Sequence, residues 1–102
     1  MKKFAYFRVA DDNATAWPLD KLVDIRYNDA THIDLFFKGK IGKDSVDIAQ
    51  ITITSGEASS VTKNLVKAFA NSRNALITVA DSVDGKFAVA DITAATSITL
   101  AS

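Results

Sequence analysis

Leu76-Ile77-Thr78-Val79-Ala80 and Phe87-Ala88-Val89-Ala90-Asp91-Ile92 decide how this chain folds. Successive side chains of a strand point to opposite faces, so a strand with one wet face alternates apolar and polar residues. These two stretches are apolar on both faces. The linker Asp81-Ser82-Val83-Asp84-Gly85 joins them, and Asp84-Gly85 suits a type I′ hairpin turn, whose two central residues need positive φ. In that register Ile77 and Val79 share a face with Ala90 and Ile92, while Leu76 and Ala80 share the other with Phe87 and Val89. Each face needs a cover. The chain offers one helix, so the second cover is either barrel curvature within the chain or a neighbouring copy. The neighbour is the expectation, with Ile77, Val79, Ile92, Ile98 and Leu100 as the candidate oligomer interface.

The helix is read just upstream. Thr54-Ser55-Gly56-Glu57 matches a capping box, and Ala58, Val61, Leu65, Ala68 and Phe69 follow at helical spacing. This predicts a helix over about 57–72, ended at Asn71 to Asn74. Farther upstream, Phe4 to Val9 reads as a first strand, Asp11 to Thr15 as a turn, and Trp17-Pro18 as a bend, strand start or edge. Trp17 suits either core packing or a partner contact. Val23, Ile25 and Tyr27 alternate with Asp24 and Arg26, then Ile33, Leu35 and Phe37 return opposite His32 and Asp34, which makes a hairpin. The strand from Val46 to Thr54 changes parity between Val46/Ile48 and Ile51/Ile53, so either a bulge near Ala49-Gln50, the preferred reading, or burial of both faces is expected. Downstream of Asp91 no charged residue remains, and Ile98 and Leu100 alternate with Ser97 and Thr99 as a last strand.

The sum is one domain spanning 1–102, mainly β (α+β). It is a strongly curved antiparallel sheet or a partly open small barrel of five to seven strands with one helix. The composition agrees: 48% of residues are hydrophobic and 24% charged, as in globular proteins. Twelve Lys and Arg balance twelve Asp and Glu, which removes the positive excess of a dedicated nucleic-acid binder and tolerates self-association. Disulfide and thiolate chemistry are excluded because the chain has no Cys. Met1 to Arg8 opens like a signal peptide, but Arg8, Asp11 and Asp12 interrupt the apolar region too early. No run approaches the roughly 18 apolar residues that cross a bilayer. A cytoplasmic or virion-associated location is expected, without a membrane partner.

Chemistry-bearing patterns are few. Phe36, Lys38, Lys40 and Lys43 surround two glycines, and such a loop could stack bases and neutralise phosphates; a solvated hairpin turn whose Lys residues keep the sheet edge soluble is the preferred reading, since the glycines fit no phosphate-loop pattern. His32 with Asp34 and Asp29 has no second His or Cys to make a metal site. Asp81 to Gly85 lacks the third acidic ligand and distant Glu of a calcium loop. Ser55, Ser59 and Ser60 lack a nucleophile frame. No enzyme activity and no cofactor are expected.

The segment Pro18-Leu19-Asp20-Lys21-Leu22-Val23-Asp24-Ile25, the hairpin through Ile33-Asp34-Leu35-Phe36-Phe37, the strand Ile48 to Thr54, one helix and a closing hairpin follow in order. This layout resembles short uncharacterised proteins of marine bacteriophage and ocean-metagenome sequences, some virion-associated. The resemblance implies a structural or assembly role and carries over no functional residues. Bent strands with a single helix also resemble the Sm-like small β-barrels, which form rings and bind RNA. Here the usual N-terminal helix and an Asp-x-x-x-Asn segment are missing. Two functions follow as expectations: a non-enzymatic, self-associating structural or assembly protein, or a ring-forming barrel that binds RNA or single-stranded nucleic acid.

Overall fold

A computed structural model describes residues 2–39 and 45–100. The order is β1 (Phe4–Ala10), β2 (Asn13–Pro18), a 3-10 turn (Leu19–Lys21), β3 (Leu22–Asp29), β4 (His32–Lys38), β5 (Val46–Ile53), α1 (Ala58–Asn71), β6 (Leu76–Asp81), β7 (Lys86–Phe87) and β8 (Ile92–Thr99). The fold is mainly β, with two four-stranded sheets ordered β2-β1-β6-β7 and β3-β4-β5-β8. Among the described residues eight short strands replace the five to seven expected, because β2 already starts at Asn13, inside the stretch read as a turn, and β7 is separate from β8.

Aromatic and β-branched residues of both parities make Phe4 to Ala10 a strand able to hold the centre of a sheet. It pairs antiparallel with β2 and parallel with β6. The parallel pairing departs from the all-antiparallel expectation. Parallel neighbours need a long connection, and the whole chain from β2 through α1 supplies it between β1 and β6. Pro18 lies on the edge strand β2, where a missing N–H costs no ladder bond.

Both sheets and the helix feed a single core. Ala5, Phe7, Trp17, Ile77 and Val79 come from the first sheet; Ile33, Leu35, Phe37, Ala49, Ile51, Ile53, Ile92 and Ala95 come from the second; Val61, Leu65 and Phe69 come from α1. Trp17 bridges the layers. It stacks on Phe37 at 4.6 Å and 4°, while Phe7 meets both rings edge-on at 5.6 and 5.9 Å. Its indole N–H donates to Asp47 Oδ2 at 3.0 Å, so the buried carboxyl of Asp47 accepts a bond inside the core.

Asp47 explains the parity change in β5. Asp47, Ala49, Ile51 and Ile53 form the buried face, and Val46 and Ile48 point outward. No bulge interrupts the β4–β5 ladder from His32↔Thr52 to Lys38↔Val46. The register instead shifts on β8, between Gln50↔Ser97 and Ile51↔Ala95. Apolar identity misled the reading here, because a charged residue lies inside and two aliphatics outside.

Three local expectations are corrected. Glu57 precedes α1 without a side-chain cap bond; its N–H closes a turn on Thr54 C=O at 3.1 Å, with Gly56 at φ 84. That positive φ at the third residue is the type II requirement, so Gly56 serves a turn in place of a capping box. Asp84 does not adopt the positive φ of a type I′ turn; only Gly85 does, at φ 67. Asp81 Oδ1 accepts the N–H groups of Val83 and Asp84 at 3.0 Å each, holding a four-residue loop between Asp81 and Lys86. Finally, the long hairpin does not form. Pairing is limited to Ala80↔Phe87 and Asp81↔Lys86, the chain turns at Val89 to Asp91, and Ile92 opens β8 in the other sheet beside Ile53.

The two sheets are joined at one side by the Leu19–Lys21 turn, pinned by Leu19 N–H to Lys3 C=O at 2.8 Å. At the other side β8 lies along β1 and β6. There the Ser82 hydroxyl accepts the Ala95 N–H at 2.8 Å and donates to the Ala95 C=O at 3.2 Å. The seam is stitched by a side chain, and the sheets do not close into a barrel.

Candidate interaction surface

Strand alternation gives each sheet an outer face. On the first sheet, Phe4 stands between Pro18 and Leu76, Tyr6 between Ala16 and Thr78, and Arg8 between Ala14 and Asp81. None of Phe4, Tyr6, Ala16, Pro18 and Leu76 belongs to the core cluster. The helix lies on the opposite side, since Lys3, in phase with the inward Ala5 and Phe7, donates Nζ to the Phe69 carbonyl at 2.9 Å. That contact also sets a cation at the helix C-terminus, where the dipole favours it. This outer face therefore carries two aromatics, a proline, two alanines and a half-exposed leucine, with no layer above them.

Charge enters only at one corner. Arg8 is paired with Asp11 at 3.2 Å, Asp84 at 3.7 Å and Asp81 at 3.9 Å. Asp81 is nearly buried and is already committed to its loop amides. The corner is a neutralised cation, and the loop once compared with a calcium site is explained by its own turn bonds.

The outer face of the second sheet differs. Arg26 bonds Asp24 and lies over the Phe36 ring at 5.1 Å. Asp34 accepts from Asn28 at 3.0 Å and Gln50 at 2.9 Å, and Thr52 meets Thr96 hydroxyl to hydroxyl. His32 Nδ1 stands 2.8 Å from Asp29 Oδ1. The Thr31 N–H, donated to Asp29, together with His32 holds the Asp29 carboxyl below its ordinary value. Among the described residues no three His, Cys, Asp or Glu side chains are grouped to hold a metal ion.

The candidates drawn from sequence separate on this framework. Ile77, Val79 and Ile92 are 6%, 0% and 2% exposed, so their cover comes from within the chain and they cannot form an interface between folded copies. Ile98 packs against the core, and Leu100 is exposed. Phe36 faces outward under Arg26, and Lys38 is exposed at the end of β4. Lys40 and Lys43 lie outside the described residues. Trp17 is core. The apolar outer face of the first sheet was missed, although its signal was present: Phe4 and Tyr6 alternate with Ala5 and Phe7, the same two-sided pattern noted for Leu76 to Ala80.

No helix among the described residues is long and apolar enough to cross a membrane. Comparison with protein-family models, curated proteins and solved structures found no match.

Proposed function

We propose that this chain is a non-enzymatic, self-associating structural protein whose copies meet through the outer face of the first sheet. The observation that carries this reading is the mostly apolar strip Pro18-Phe4-Leu76 and Ala16-Tyr6-Thr78, half-buried apart from the exposed Leu76 and outside the core. A second copy is the fitting occupant. The strip itself is uncharged, the charges that border it are of both signs (Arg8 and Lys86 with Asp11, Asp81 and Asp84), and the chain's net charge is +0, so no strong single-sign field opposes two like faces.

Magnitude sets the kind of association. Two rows across three strands about 4.8 Å apart, spanning about 10 Å along each, present a patch of roughly 150 Å². Stable dimers bury about 800 Å² per partner, so a pair held by this face alone is weak and tightens where copies are concentrated. An assembly is such a setting, and a virion is the one implied by the resemblance to phage proteins. The nucleic-acid alternative draws on Arg26, Phe36 and Lys38, but Asp24 and Asp34 share that face and oppose phosphates.

Sedimentation velocity from about 10 μM to about 1 mM tests the proposal. The sedimentation coefficient is expected to rise with concentration, to stop rising in Phe4→Lys and Tyr6→Lys, and to be unaffected by Phe36→Lys. A chain that stays monomeric throughout, or a Phe36→Lys effect equal to the others, would sink it.

A further inference from the structure

The first sheet is incomplete at one edge. Phe4 N–H bonds Ala75 C=O at 2.7 Å, which aims Ala75 and, by alternation, Ile77 toward β1. Leu76 and Thr78 then turn their N–H and C=O groups to the opposite edge. There β7 pairs only with Ala80 and Asp81, and Ala88 N–H adds a last bond to Val79 C=O at 3.1 Å. The chain then leaves: Ile92 N–H closes a turn on Val89 C=O at 3.1 Å. Beside Leu76 to Thr78, the position that β7 would occupy is taken by an open cleft of about 590 Å³. Its walls are Ala68 and Asn71 of α1, Leu76 and Thr78, and Lys86 and Phe87. Leu76 is 51% exposed, and Lys86 has no ion pair among the described residues.

We infer that this edge accepts one extended peptide segment as an added strand, in line with β7, with an acidic residue set against Lys86. Three observations select that occupant. Backbone donors and acceptors of Leu76 and Thr78 are matched by another extended backbone, as in strand addition generally. The gap from Leu76 to Thr78 is about 10 Å long, enough for three residues, and it is closed at both ends by β7 and the helix terminus. A folded copy cannot bring an edge strand that short into it, whereas a single chain can. Lys86 supplies an unpaired positive charge at the β7 end, which selects a carboxylate near the start of a segment running antiparallel to β6. A cleft of this volume is within the range of small-ligand and peptide sites. This site and the self-association face share Leu76 and Thr78, whose side chains serve the face and whose backbones serve the edge; Phe4→Lys and Tyr6→Lys test the face and the N-methylated peptide tests the edge, so either can fail alone.

The probe is a capped peptide of about five residues, aspartate first and then alternating valine and threonine, titrated into the full chain and followed by backbone amide NMR. Saturable shifts are expected at Leu76, Thr78, Lys86 and Phe87. The same peptide with alternate amides N-methylated leaves the protein untouched and is expected to bind at least about 10-fold more weakly, because the ladder bonds are lost. Replacing its aspartate with lysine is expected to weaken binding several-fold. Absence of shifts at about 5 mM peptide, or equal binding by the N-methylated peptide, overturns the inference. Equal binding by the lysine peptide removes the role of Lys86 and with it the acidic occupant. If raising the protein concentration alone moves these amides, the occupant is a second copy and the peptide reading fails.

Discussion

The outer faces of the two sheets are built from the same alternation and treat solvent in opposite ways. On the second sheet nearly every outward polar group has a neighbour on the same face: Arg26 with Asp24, Asp34 with Asn28 and Gln50, Thr52 with Thr96. Its one large aromatic, Phe36, is roofed by a guanidinium. On the first sheet the outward rows are Phe4, Tyr6, Ala16, Pro18, Leu76 and Thr78, with Arg8 drawn into an aspartate corner and Lys86 beyond it on β7. The second sheet pairs its outward polar groups within its own face, although Val46 stays 43% exposed there. The first sheet carries the apolar strip and the open edge on which the proposed self-association and strand addition rest.

The comparison requires that the two sheets be equal on the inside, and this is where the largest effect is expected. Phe7 and Phe37 come from different sheets and are both buried, so Phe7→Ala and Phe37→Ala should each cost about 3–5 kcal/mol in urea unfolding. Their rings meet edge-on at 5.9 Å, so the double variant should fall short of the sum by about 0.5–1.5 kcal/mol. If either single change costs less than about 1 kcal/mol, the idea of one shared core is broken.

The hairpins that bound the sheets sharpen the contrast at a smaller scale. A Cβ on Gly39 would lie 1.8 Å from Ser45 Oγ and 2.8 Å from the Ser45 carbonyl carbon, so Gly39→Ala should cost about 1–3 kcal/mol through overpacking. Gly85 has open space but φ 67, so Gly85→Ala should cost only about 1–2 kcal/mol, from backbone strain. Thermal unfolding of the two variants separates a steric from a conformational glycine; equal insensitivity at Gly85 would show that the Asp81-centred loop adapts freely.

The smallest effect lies on the finished face. Asp29 has its carboxyl pKa lowered from the ordinary 3.8, chiefly by the Thr31 N–H and then by His32. A depressed folded value means that the interaction stabilises the fold above the unfolded value and is lost as pH falls through the folded one. Carboxyl NMR titration should place the Asp29 midpoint below 3.8, and His32→Gln should move it upward. A midpoint at or above 3.8 would remove the Asp29–Thr31–His32 cluster from the account.

Much of the fold was legible because periodicity reports burial. The β3–β4 hairpin and the span of α1, Ala58–Asn71 against an expected 57–72, follow from it directly. What could not be read depends on distant partners. Asp47 looks like a solvent residue until Trp17, 30 positions away, supplies its N–H. Phe87 to Ile92 looks like one strand because apolar identity cannot tell which sheet each half joins. The missing cover inferred for Ile77 and Val79 is supplied within the chain, while Leu76 on the other face is 51% exposed and Phe4 and Tyr6 beside it are half-buried.

Ser82 has a consequence for the fate of the molecule under stress. The segment from Ile92 to Thr99 is an edge strand without a single charge, Pro or Gly, which is the composition that stacks into cross-β fibrils when its edge is free. One hydroxyl, held by a loop that a single aspartate organises, occupies both backbone groups of Ala95 at the middle of that edge. Opening the 82–85 loop would uncover a fibril template while the rest of the protein is still folded. Ser82→Ala is therefore expected to speed aggregation by more than its effect on urea unfolding accounts for, although β1 and β6 still flank that edge.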